Sequence, residues 1–120
     1  MQKIAFILFA LIIFSCTKEQ YVETIIQPAG CDSIFFTFEK NIKPIFNSNC
    51  NFEECHAPGG TGSYDFTNYV VVKNRVEAGT VDYRLDLPFD DPQHMPYKMK
   101  MSSCDYYAIK TWIKQGYAEK

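Results

Sequence analysis

Cys50-Asn51-Phe52-Glu53-Glu54-Cys55-His56 is the stretch on which the reading of this chain turns. It sets two thiols four residues apart and places an imidazole directly after the second. A thiolate is both a nucleophile and a soft metal ligand, and neutral imidazole is the commonest nitrogen ligand. Three uses fit such a cluster: covalent attachment of a prosthetic group, a disulfide staple, or a metal site. The rest of the chain has to separate them.

A cysteine pair ending in Cys-His is the ending of a c-type haem attachment motif, whose usual spacing is two residues rather than four. In that chemistry the thiols add across the haem vinyl groups and the histidine becomes the proximal ligand. A methionine from a distant segment completes the other side of the iron. Only the pairing of the second cysteine with the adjacent histidine must be held tightly. The loop back to the first cysteine has room to bulge by two residues and still reach the other vinyl.

The chain has 120 residues, 47% of them hydrophobic and 16% aromatic, enough for a single domain with a packed core. Its net charge of -2 carries no basic footprint for nucleic acid and is too slight to imply a cationic partner. Five cysteines in so short a chain suggest an oxidising compartment, a lipid anchor, a cofactor, or a mixture.

Lys3 precedes an unbroken apolar run from Ile4 to Phe14, followed by Ser15-Cys16. The run is far short of the roughly twenty residues a spanning helix needs, so it reads as the hydrophobic region of a signal peptide. Ile13-Phe14-Ser15-Cys16 resembles the lipobox of bacterial lipoproteins, with a bulkier residue before the serine than the strictest form allows. The resemblance implies that Cys16 is lipidated and becomes the mature N-terminus; an ordinary secretory signal cut nearby is the alternative. Acyl chains anchor a protein without spanning the bilayer. Thr17 to Ala29 is polar, ends in Pro28-Ala29-Gly30, and reads as a tether. The expected organisation is a lipoprotein signal peptide at 1–15, a tether at 16–30 and one domain at 31–120.

Phe38, Ile42, Ile45 and Phe46 recur at helical spacing and predict an amphipathic helix that delivers Cys50 at its end. Pro44 conflicts with a helix interior, so the helix is expected to kink there or to begin its regular part nearby. The segment Phe38-Glu39-Lys40-Asn41-Ile42-Lys43-Pro44-Ile45-Phe46, followed by C-x4-C-H, resembles the opening of small class I cytochrome c-like haem domains found in bacterial lipoproteins. The resemblance covers roughly Phe36 to Gly116. It implies an all-α domain around one covalent haem c, with His56 as proximal ligand and thioether bonds to Cys50 and Cys55.

Ala57 to Ser63 is rich in turn residues, and a carbonyl in it could accept the second ring N–H of His56; a plain surface loop is the other reading. Asp65 or Thr67 is expected to cap a short helix reaching Val76, although three consecutive valines favour strand. Glu77 to Asp91, interrupted by Gly79 and Pro88, reads as an extended loop.

His94-Met95-Pro96 follows, with Met99 and Met101 beyond. The Met-Pro pair matches the distal-ligand pattern of the resembled family and implies Met95 as the sixth ligand. A proline keeps the preceding residue extended, which suits a side chain reaching inward from a loop. Met99, Met101 and His94 are the alternatives; a bis-histidine site would have the lower reduction potential.

In the last segment Ser102 and Ser103 are N-cap candidates. Ile109, Trp112 and Ile113 form an apolar stripe that Tyr106 would extend, and Gly116 is a stop. In the resembled family this helix crosses the first one. Cys31 and Cys104 have no place in the motif, and outside the cytoplasm a bond between them is a natural expectation, though connectivity does not follow from sequence.

The function expected is therefore electron transfer by a membrane-anchored monohaem cytochrome in the bacterial cell envelope, serving an unidentified redox partner protein. No acid–base or nucleophile constellation points to an enzyme. A haem-free lipoprotein stapled by disulfides among Cys31, Cys50, Cys55 and Cys104 is the second reading. A metal site from Cys50, Cys55, His56 and Cys104 or His94 is the third, and adjacent Cys55 and His56 reach one tetrahedral ion with difficulty.

Overall fold

The computed structural model describes residues 24–120. The expected signal peptide, the lipidation site Cys16 and the tether as far as residue 23 lie outside the described residues. Among the described residues the fold is all-α, with no strand.

Phe38–Ile42 winds as a π-helical turn and runs directly into α1, Lys43–Asn49. Pro44 explains the join. It sits in the first turn of α1, where the winding changes from π to α and the run tolerates a residue without an N–H. Of the expected stripe, Phe38, Ile42 and Phe46 are buried to 1% exposure or less, and Ile45 packs against them half-buried.

α2 spans Tyr69–Glu77 and buries Val72 and Val76. Its cap is neither Asp65 nor Thr67 but Asn68, whose side chain accepts from the amides of Val70 and Val71. Asp65 instead bonds the amide and hydroxyl of Thr67 at 2.8 and 2.6 Å, shaping the turn ahead of the cap. Helix wins over the β preference of the three valines because Val72 packs into the core with Val76 one turn on.

Residues 77 to 91 are not one extended loop. α3 spans Thr80–Asp86 within them, burying Val81 and Leu85 at a spacing of four. Gly79, with φ of 72°, turns the chain from α2 into α3 rather than ending helical structure.

α4 spans Ser103–Lys114 and is capped by Ser102, which accepts from the Asp105 amide. Ile109 and Trp112 are fully buried, with Tyr107 and Ala108 beside them. Tyr106 turns outward and donates to Asp86 at 2.6 Å. At the far end the Tyr117 amide bonds the Trp112 carbonyl at 2.9 Å and the Gly116 amide that of Ile113 at 3.1 Å, the paired closure of a helix ending at glycine.

The first and last helical segments meet through Phe38 and Trp112, ring centroids 6.1 Å apart. The carbonyls of Ala118 and Glu119 accept from the amides of Phe38 and Glu39, supplying acceptors for donors that a helix start leaves open. The structure also joins Cys31 to Cys104, tying the entry of the domain to α4. Lys110, 5% exposed, reaches from α4 to Asp82 and Asp86 of α3 at 2.5 and 2.6 Å.

Candidate functional site

The motif begins where α1 stops. Phe46 provides the carbonyl that receives the amides of both Cys50 and Asn51, at 2.7 and 2.9 Å, so the helix closes as the first cysteine is reached. Cys50 is buried among the core side chains, whereas Cys55 is half-buried in the loop. Both thiols are free. Burial, and after it the neighbouring Cys55, push the Cys50 thiol up from 9.0 to about 12.

The bulge has its own bonds. The Cys55 amide donates to Phe52 at 2.8 Å, and the His56 amide returns to the carbonyl of Cys50 at 3.1 Å, bringing the start and end of the motif together. Thr61 holds the loop from outside by donating to the Glu54 carbonyl at 2.5 Å. Glu53 and Glu54 are exposed.

His56 is oriented from two sides. Its Nδ1 lies 2.9 Å from the carbonyl oxygen of Tyr64, one residue beyond the turn-rich loop expected to supply this acceptor. A carbonyl only accepts, so Nδ1 carries the hydrogen and the neutral ring keeps its lone pair on Nε2. The ring also stacks on Phe66, with centroids 4.2 Å apart and planes within 5°. The Phe66 amide bonds the His56 carbonyl at 3.1 Å.

Gly60 and Gly62 make this turn possible. A Cβ on Gly62 would collide with the carbonyl of Cys55 and with Nδ1 of His56; one on Gly60 would come within 2.5 Å of the same carbonyl. The composition marked this stretch as a loop. Its tight wrapping around the Cys55-His56 peptide was not visible there.

The His94-Met95-Pro96 segment is fastened to the end of α3. The Met95 amide donates to the Arg84 carbonyl at 3.0 Å and Nδ1 of His94 lies 2.8 Å from the carbonyl of Leu87. Met95 is half-buried, Met99 is exposed at 40%, and Met101 packs against the core. His56 and Met95 are thus held by different parts of the fold, and among the described residues no hydrogen bond or ring contact joins them.

Two features stay apart from the motif. Cys104 is committed to Cys31, and no three His, Cys, Asp or Glu side chains converge among the described residues, so the four-ligand metal site drawn from these positions does not assemble. A cleft of about 260 Å³ lies beside the disulfide, lined by Asp32, Phe36, Lys40, Ile45, Cys104 and Ala108. Among the described residues no helix is long and apolar enough to cross a membrane.

Two free thiols next to an imidazole with a directed lone pair suit covalent attachment of haem and axial ligation of its iron. Residues that sequence reasoning did not single out for the site are Tyr64, Phe66 and Arg75, whose guanidinium lies over the Tyr64 ring. Only Phe66 had a signal, as an apolar residue close behind the motif. Comparison of the chain with protein-family models, curated proteins and solved structures finds no match in any of the three.

Proposed function

We propose that this chain is a membrane-anchored monohaem c-type cytochrome of the class I cytochrome c-like type that works in electron transfer. Cys50 and Cys55 would hold the haem by thioether bonds, His56 would be its proximal ligand and Met95 its distal one. Haem, when bound, supplies a one-electron carrier whose potential is raised by His/Met ligation relative to bis-histidine. The chain's own residues do the positioning. Tyr64 and Phe66 aim Nε2 of His56, and the Arg84 carbonyl holds the main chain of Met95.

The observation that carries the reading is the state of the cysteines together with His56. Cys31 and Cys104 are bonded, while the two motif thiols are left free next to an imidazole whose Nδ1 is occupied. A domain stapled only by disulfides gives no reason for an imidazole held in this way directly after a free thiol. The lipid anchor at Cys16, the location in the bacterial cell envelope and service to a redox partner protein belong to the same proposal.

The test is a denaturing gel stained for haem peroxidase activity, using chain exported from a host with haem maturation. Haem that stays with the polypeptide is the expected result. Absence of stain, with Cys50 and Cys55 recovered in disulfides, would leave a haem-free lipoprotein.

A further inference from the structure

Tyr64 supplies the carbonyl that holds His56, and Tyr64 is itself held from α2. The guanidinium of Arg75 lies over the Tyr64 ring, 4.3 Å from its centroid, and donates from one terminal nitrogen to the Tyr64 hydroxyl at 3.1 Å. Two contacts of different kinds, one to the ring face and one to its tip, fix the ring in both tilt and reach. The main chain of Tyr64 lies between the Gly62 amide, bonded to Cys55, and the Phe66 amide, bonded to His56. Its carbonyl points back to Nδ1 of the same histidine. A continuous set of contacts therefore runs from the last turn of α2 to the imidazole.

We infer that Arg75 is a positioning residue for His56, acting through the ring and carbonyl of Tyr64 to keep the hydrogen on Nδ1 and the lone pair on Nε2. Its consequence for the iron rests on the proposed function, but the geometry does not. A hydrogen bond from Nδ1 makes the ring a stronger donor toward a metal. A stronger donor favours ferric iron, so loosening Tyr64 raises the reduction potential.

The experiment has two arms. In the full chain without haem, the ring ¹⁵N shifts of His56 are measured at a pH where the ring is neutral. Wild type is expected to show the Nδ1–H tautomer. Arg75→Ala should shift the ring toward Nε2–H, with Arg75→Lys intermediate because an ammonium lacks the planar fork. Tyr64→Leu keeps the accepting carbonyl, deletes the ring and should match Arg75→Ala. Lys73→Ala, which removes the Lys73–Glu77 pair on the same helix, should leave the tautomer unchanged.

In the haem-bearing protein, Arg75→Ala should raise the ferrous-to-ferric ratio at fixed ambient potential by no more than about two- to fivefold, the ceiling set by the strength of an exposed cation–π contact. A wild-type tautomer in Arg75→Ala would overturn the inference, as would equal loss in Lys73→Ala, which would mean general loosening of α2. A changed tautomer with an unmoved potential would overturn the role toward iron. Failure of haem to attach sinks the proposed function and leaves the tautomer arm to decide the positioning by itself.

Discussion

His56 lies flat on Phe66, ring centroids 4.2 Å apart and planes 5° apart, with Nδ1 directed at the carbonyl of Tyr64. This imidazole is oriented before any metal is considered. Stacking fixes the plane of the ring and the hydrogen bond fixes its rotation within that plane. The space that allows both comes from a residue with no side chain, Gly62.

Gly62→Ala is accordingly expected to damage the site out of proportion to its size. The new methyl would overlap main-chain and ring atoms that cannot swing aside. We expect a stability loss of about 1–3 kcal/mol, the usual range for overpacking, and a lower yield of covalently attached haem. Denaturant unfolding and haem staining check the two effects, and wild-type values in both would show that the loop relaxes freely.

The two motif thiols should differ in reactivity in the haem-free chain. Burial, then the proximity of Cys55, push Cys50 up from 9.0 to about 12, whereas Cys55 sits half-buried in a loop. Iodoacetamide at pH 8 should therefore modify Cys55 first, with Cys50 following only on unfolding. Peptide mass spectrometry reads the order directly. The linkage has a sign as well: a folded pKa above the unfolded one gives a contribution fully present below pH 9.0 and lost as pH climbs toward about 12. Cys50→Ser should flatten that part of the alkaline stability curve.

Lys110 joins α4 to α3 through Asp82 and Asp86. Burial alone would lower its pKa, but the hydrogen bonds that Lys110 donates to the two carboxylates outweigh it and the net direction is upward from 10.5. Tyr106 beside it is pushed up to about 12, by burial and then by its hydrogen bond to Asp86. Both contributions are present below the ordinary pKa values and fade as pH rises above them. Lys110→Met should cost about 1–3 kcal/mol, less than breaking a fully buried pair, because Asp82 and Asp86 remain 44% and 39% exposed and keep water. Thermal melts at pH 7 and pH 11 test this. A variant as stable as wild type at pH 7 would make the cluster a surface decoration.

The disulfide is expected to carry a large share of stability. Cys31 and Cys104 are 73 residues apart, and closing a loop of that length removes much of the freedom of the unfolded chain. Cys31→Ser with Cys104→Ser should destabilise by roughly 2–5 kcal/mol. Urea titration of the double variant measures it, and a change below about 1 kcal/mol would place the benefit elsewhere, since native strain often reduces the effect.

Periodicity made the first and last helices legible, because Phe38, Ile42, Phe46, Ile109 and Trp112 carry their burial in their spacing. α3 was hidden by two breakers. Gly79 marks a turn between helices as readily as the end of one, and Val81 with Leu85 is too short a pattern to outvote it. At the candidate site the residue types proposed to ligate iron were legible and the contacts that hold them were not. The acceptor for His56 is a main-chain carbonyl, which any residue provides, and Arg75 reaches Tyr64 across eleven residues of chain. Contacts of that kind belong to the folded path rather than to residue type.

The distal ligand gives the sharpest discrimination. Met95 is half-buried and fastened through its amide to Arg84; Met99 is exposed at 40%, and Met101 is engaged with the core. His94 is the rival with the right chemistry, because its Nδ1 is occupied by the Leu87 carbonyl and its Nε2 is therefore open, as in His56. In the haem-bearing protein Met95→Ala should abolish the sulfur-to-iron charge-transfer band, while Met99→Ala and Met101→Ala retain it. The reduction potential should fall in Met95→Ala, since thioether ligation raises it. Loss of the band in Met99→Ala or Met101→Ala instead would move the ligand to that position. A band absent from wild type, with a bis-histidine spectrum that His94→Ala removes, would assign the sixth position to His94.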